Sequence, residues 1–242
     1  MADNMCCKYP RGFLHECSLA LSLTFNSVDA AIKAGVKRFI PSEFGSNLEN
    51  EKTRKLAVFG GKIATRKHLE EKVNGGADLT YTYVINSGFY DWGIEVSFLL
   101  NWREGKPELY DGGDIPINVT LLSDVGLAVV GILTHPEETK NRQVYISSAQ
   151  VTQNKMLELA RKAAPSKTLE PYTVKISDVE KSNEEATSKG DFSQGVIFNQ
   201  LYLSIYGGKA YGALPESNDN ALLGIKPVSD EDVVAIWKKV LA

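Results

Sequence analysis

The sequence predicts an α/β fold, a doubly wound parallel sheet with helices on both faces, followed by a smaller α+β C-terminal lobe. Three observations carry this. Leu21, Phe25, Val28 and Ile32 recur at helical spacing, and residues 36–40 directly after them read as a strand. Residues 79–85, LTYTYVI, have the β-branched and aromatic composition of a buried strand. Helical stretches separate and follow these strands, and such alternation marks parallel winding.

Taken in order, residues 1–17 show no periodicity and contain Pro10 and Gly12, so they read as an irregular leader. The first helix stops at Gly35, a favoured residue just past a helix end. The strand over 36–40 empties into a polar loop, Pro41-Ser42-Glu43-Phe44-Gly45. A charged connector over 47–54 leads to a helix over 62–73, closed by Asn74-Gly75-Gly76. The strand over 79–85 exits through Asn86-Ser87-Gly88-Phe89, and a helix is expected over 92–103. Tyr110-Asp111-Gly112-Gly113-Asp114 reads as a hairpin-type turn. A helix over 124–134 and a strand over 143–147 follow. Thr152 suits the N-cap of a helix reaching 163. A helix is expected over 177–188. Ser229 and Asp232 resemble a capping box for a last helix that shows Val233, Ile236, Trp237 and Val240 on one face. The boundary between the two lobes falls near residues 98–107.

Composition excludes several functions. With 43% hydrophobic and 24% charged residues, the 242-residue chain is ordinary globular material. A net charge of −3 offers no basic field, so nucleic acid is not an expected partner. No apolar run approaches the roughly 20 residues of a membrane span. Cys6, Cys7 and Cys17 form neither a C-x-x-C pair nor a zinc pattern, which points to reduced thiols and a cytoplasmic location. His15, His68 and His135 share no ligand-like spacing, so no metal is expected.

In an open α/β sheet, ligands bind outside the carboxyl ends of the strands, which is where the 41–45 and 86–89 loops belong. Lys62, Arg66, Leu69 and Val73 fall within about 60° of one another on a helix, so Lys62 faces inward. Two readings stay open for it. Its stem packs while the amine reaches water, or its amine is desolvated, lowered in pKa and able to exchange protons near neutrality. The 41–45 loop equally reads as a structural turn. Two motifs are absent: no two glycines stand three apart, so there is no G-x-x-G-x-x-G phosphate cradle, and no lysine has a tyrosine four positions before it.

AAIKAGVKRFIPSEFGSN over 30–47, F-G-G-K over 59–62, the LTYTYV strand and Asn86-Ser87-Gly88-Phe89 follow one another in a known order. The chain resembles the isoflavone reductase-like, or NmrA-like, branch of the atypical short-chain dehydrogenases, and fungal members in particular, over residues 20–240. The resemblance implies a Rossmann-like NAD(P)-binding fold and NADPH as hydride donor to a small aromatic or phenylpropanoid-like substrate. It implies that Lys62 lies beside the nicotinamide, as a cofactor-binding residue and as the general base or carbonyl polariser. It places Ser42, Glu43, Phe44, Ser87, Gly88 and Phe89 around the nicotinamide and substrate. Residues 18–105 then form a partial NAD(P)-binding domain lacking the glycine-rich turn, and 106–242 the remaining sheet elements and the substrate lobe. The expectation is a chain that begins partway through its cofactor domain. A competing expectation is a non-catalytic regulator that acts by binding another protein.

Overall fold

The computed structural model describes residues 25–241. The leader, its cysteines, His15 and the first apolar residues of the opening helix lie outside the described residues. Helix α1 is described over residues 25–33 and buries Val28 completely. Gly35 takes a φ of 72°. It lets the N–H groups of Gly35 and Val36 donate back to the carbonyls of Ile32 and Ala31, both at 3.0 Å. That cap occupies Val36, and Pro41 has no N–H to give. Strand β1 is therefore only Arg38–Phe39, shorter than the 36–40 expected.

A short helix α2 (Glu51–Arg54), N-capped by the Asn50 side chain, and a 3-10 turn (Ala57–Phe59) lead into helix α3 (Gly60–Asn74). A second glycine cap closes α3, with Gly76 at φ 93° and the Ala77 N–H on the Lys72 carbonyl at 3.1 Å. Strand β2 (Thr80–Ile85) follows, and β3 (Gly88–Phe89) continues past the loop into helix α4 (Tyr90–Glu95). The expected helix over 92–103 ends early. Ser97 adopts φ 62°, and the N–H groups of Phe98 and Leu99 donate to the Gly93 carbonyl at 2.8 and 3.2 Å. The chain thus folds back, burying Leu99, Leu100 and Trp102. Continuing the helix would have left part of that apolar run exposed.

Strands β4 (Glu108–Tyr110) and β5 (Ile117–Thr120) flank the 110–114 turn, yet they are not partners. The turn has positive φ at Asp111, Gly112 and Gly113. It sends the chain from one sheet to another, so it is not a hairpin. Helix α5 (Leu122–Thr134), strands β6 (Arg142–Tyr145) and β7 (Ala149–Val151), and helix α6 (Gln153–Ala163) come next. Thr152 caps α6 as expected, accepting from the Lys155 N–H at 3.1 Å. Strand β8 (Tyr172–Val174), helices α7 (Ile176–Ser188) and α8 (Gln194–Tyr206), a 3-10 turn (Gly208–Tyr211), α9 (Asn220–Leu223) and α10 (Asp230–Leu241) complete the chain.

The central sheet has the order β1-β2-β6 and is parallel throughout. Side chains alternate along β2. Tyr83 and Ile85 pack with Val28 and Leu69 of α1 and α3, while Val84 packs with Ala128 and Ile132 of α5. Both faces are covered, so the sheet is doubly wound. A mixed sheet, β3-β5-β7, and a parallel pair, β4-β8, build the second lobe. Its core surrounds Trp237, which is fully buried and meets Trp102 edge-on at 6.5 Å.

Candidate functional site

The site lies where the carboxyl ends of β1 and β2 meet the first two turns of α3. Lys62 sits in the first turn of α3, delivered there by the 3-10 turn Ala57–Phe59. Its amine donates to the main-chain carbonyl of Glu43 and stands 6.0 Å from the Phe59 ring centroid. Gly45 is part of this arrangement. A Cβ at Gly45 would stand 3.6 Å from Lys62 Nζ, in van der Waals contact, so the Gly45 backbone packs directly beside the amine.

Arg66, one turn further along α3, donates from Nη2 to Glu43 Oε2 at 2.8 Å. Both side chains are buried, at 8% and 2% exposure. The guanidinium lies 4.2 Å over the ring of Tyr83, whose hydroxyl donates to Glu70 at 3.0 Å. Burial lowers the Lys62 pKa from 10.5; Glu43 opposes that change and Arg66 adds to it. The Tyr83 phenol is pushed well up by burial, with Glu70 acting in the same direction.

The 86–89 loop joins this group through its backbone. The Ser87 N–H donates to the Gly45 carbonyl at 3.0 Å. Asn86 is fully buried, and its Oδ1 has no hydrogen-bond partner among the described residues. Helix α8 braces this region from the second lobe: Gln200 Oε1 accepts from the Val58 N–H of the 3-10 turn at 2.7 Å, and the Ser204 hydroxyl lies 2.9 Å from that of Ser46, just past the 41–45 loop.

The structure therefore brings together Lys62, Glu43, Gly45 and Ser87. The Glu43 carboxylate is engaged by Arg66, so Glu43 presents its carbonyl to Lys62. Ser42 is exposed, and Phe44, at φ 26°, packs beside Ile40 under α5. Gly88 is buried against Leu99, and Phe89 turns its ring edge-on to Trp92 at 6.4 Å. Sequence reasoning placed Arg66 on the Lys62 face but missed its partner, and it missed Gln200 and Ser204 altogether. The signal for Arg66 was its spacing of four from Lys62; for the α8 residues there was none. His68 stacks on Phe25 at 4.7 Å and meets Asp29 at 3.0 Å, a surface arrangement remote in character from catalysis.

A cofactor supplying hydride would meet the chain at two ends, its reacting ring and its phosphates. At the reacting end stand a desolvated amine on the Glu43 carbonyl and, at the start of the 86–89 loop, a buried Asn86 Oδ1 with no hydrogen-bond partner among the described residues. For the phosphate end, the sequence has no glycine-rich turn.

The NmrA-like family model matches residues 18–189. The oxidoreductase aprR of Aspergillus flavus is 30% identical over 219 residues, covering 87% of this chain and 71% of that protein. Among solved structures, AtPrR2 with NADP+ and (+)-pinoresinol superposes with a TM-score of 0.69 at 19% identity, over 90% of this chain and 70% of that one. The ternary complex of leucoanthocyanidin reductase from Vitis vinifera gives a TM-score of 0.63 at 17% identity, over 89% and 73%. These two likenesses concern the fold, while the family match and the Aspergillus relative concern descent. The chain belongs to the NmrA-like family, in its isoflavone reductase-like branch of oxidoreductases.

Proposed function

We propose that the site serves NAD(P)H-dependent hydride transfer to a small aromatic or phenylpropanoid-like substrate, with Lys62 as the proton-transfer residue. The observation that carries this reading is the Lys62 amine, desolvated and held on the Glu43 carbonyl at the carboxyl ends of β1 and β2. The likeness of fold supports it, since AtPrR2 was solved with NADP+ and (+)-pinoresinol.

A bound nicotinamide supplies the hydride. The 41–45 and 86–89 loops would hold its ring end, with Asn86 Oδ1 available as an acceptor for an N–H donor. Hydride addition at an electron-poor carbon leaves an electron pair on the substrate's oxygen. The Lys62 ammonium delivers its proton there and becomes the neutral amine, which solvent reprotonates. A depressed pKa brings this exchange toward neutral pH, where a general acid works best.

The 242 residues include no glycine-rich turn to hold a pyrophosphate, so the test supplies one. The test joins a mononucleotide-binding half carrying a glycine-rich turn to the start of this chain. NADPH oxidation is then followed with a panel of aromatic substrates. Turnover that drops about 100-fold or more in Lys62→Met supports the reading. Failure of the joined protein to bind NADPH sinks it.

A second reading is a non-catalytic regulator that binds another protein. The half-exposed apolar side chains Leu127, Val130 and Leu133 along α5 favour it. NADPH binding without turnover by the joined protein, together with a stable complex lost on replacing those three residues, would select it.

A further inference from the structure

The Glu43–Arg66 pair is poorly explained as a stabilising device. A buried ion pair forfeits the hydration of both charges, and apolar replacements are often at least as stable. This one also leaves Arg66 Nε buried without a hydrogen-bond partner among the described residues. Its location suggests another purpose. The carboxylate that binds Arg66 and the carbonyl that binds Lys62 belong to the same residue.

Glu43 is thereby fixed at two points: Arg66 Nη2 donates to its carboxylate at 2.8 Å, and its own N–H donates to the Pro41 carbonyl at 2.7 Å. Arg66 is fixed in turn, seated over the Tyr83 ring on the central strand β2. Main chain with so little freedom presents its carbonyl in one direction. We propose that Glu43 and Arg66 are positioning residues for Lys62: their pairing aims the Glu43 carbonyl at the Lys62 amine, and their opposite charges set the field in which that amine gains and loses its proton.

The other titratable groups around this point are Tyr83 with Glu70, and Tyr81 and Tyr145 on the Arg66 side. Burial raises all three phenols, so they stay neutral while the amine titrates. The charges that act on Lys62 are then Glu43, which holds the ammonium form, and Arg66, which disfavours it. This inference rests on the proposed role of Lys62, but its test needs no turnover.

The free amine reacts with acetic anhydride and the ammonium does not, so the rate of Lys62 acetylation against pH, read by peptide mass spectrometry, gives its titration in the folded chain. Glu43→Gln removes the charge that favours the ammonium, so the Lys62 titration moves further down. Arg66→Gln removes the opposing charge and moves it up. A pair that only held the fold together would, on loss of either partner, admit water and move both variants up toward 10.5. Opposite shifts support the proposal; parallel shifts, or none, overturn it. Either single variant leaves one buried charge alone and can unfold, which circular dichroism would reveal. The neutral double variant Glu43→Gln/Arg66→Gln avoids that. Because Glu43 is the stronger influence, the double variant titrates below the parent chain, and a rise toward 10.5 overturns the proposal as well. Opposite shifts combined with no hydride transfer in the joined protein would sink the proposed function and leave this inference standing.

Discussion

Lys62 links sequence to chemistry through one property, the cost of keeping an ammonium out of water. Its folded pKa lies below 10.5, chiefly through burial. Below the folded value both states carry the proton and the full penalty weighs on the folded state. Between the folded value and 10.5 the unfolded chain binds more protons than the native one, so stability rises with pH across that window. Lys62→Met removes the penalty while keeping the stem's packing. Urea unfolding of both chains at a series of pH values should show Lys62→Met the more stable at neutral pH, with the gap closing as pH climbs toward 10.5. Both chains share the buried tyrosines, so their titration cancels in the difference. A gap that stays constant would mean the amine is hydrated. At this scale the sequence was half legible. Helical spacing put Lys62 and Arg66 on the inward face, because that depends only on 3.6 residues per turn. The engagement of Glu43 by Arg66 depends on bringing a loop against a helix, and no local pattern in the chain records it.

Among the elements, those defined by local signals came through. Two helix ends closed on glycines where the sequence placed them, and Thr152 and Ser229 cap the helices they precede. What failed was decided by packing. Helix α4 stops early because Phe98, Leu99 and Trp102 serve the second core better from a turn than from a helix face. Helix α8 escaped notice because Val196, Leu203, Ile205 and Tyr206 lie around its axis and no single stripe stands out. Helix α5 offers a paired test of packing on one element. Gly131 lets α5 approach α9: a Cβ there would meet Leu223 Cα at 2.9 Å and its carbonyl oxygen at 3.1 Å. Gly126, on the same helix, has open space around that position. Gly131→Ala should cost about 1–3 kcal/mol by forcing backbone apart. Gly126→Ala should stabilise by about 0.5–1 kcal/mol through helix propensity. Thermal unfolding of the two variants reads both signs; a neutral Gly131→Ala would mean that α9 yields readily.

Across the whole molecule, the two lobes are joined where the site lies, since β2 runs through the 86–89 loop into β3 and α8 reaches back to Ser46 and Val58. The doubly wound sheet was legible because strand and helix patterns alternate along the chain; the pairing of β4 with β8 was not, because parallel partners are distant in sequence. One surface stands apart from this economy of burial. Leu127, Val130 and Leu133 are 49%, 59% and 57% exposed along α5, on the side away from Ala128 and Ile132. Apolar side chains aligned on one helix face promote association of chains when nothing covers them. Because these side chains contribute little to either core, replacing them should change solubility and leave the fold alone. Leu127→Gln/Val130→Glu/Leu133→Gln is expected to lower light scattering on concentration while Tm stays within about 2–4 °C, the shift that roughly 1 kcal/mol produces in a chain of this size. A fall in Tm well beyond that would show that the stripe is packed in solution, and would place a partner element against α5.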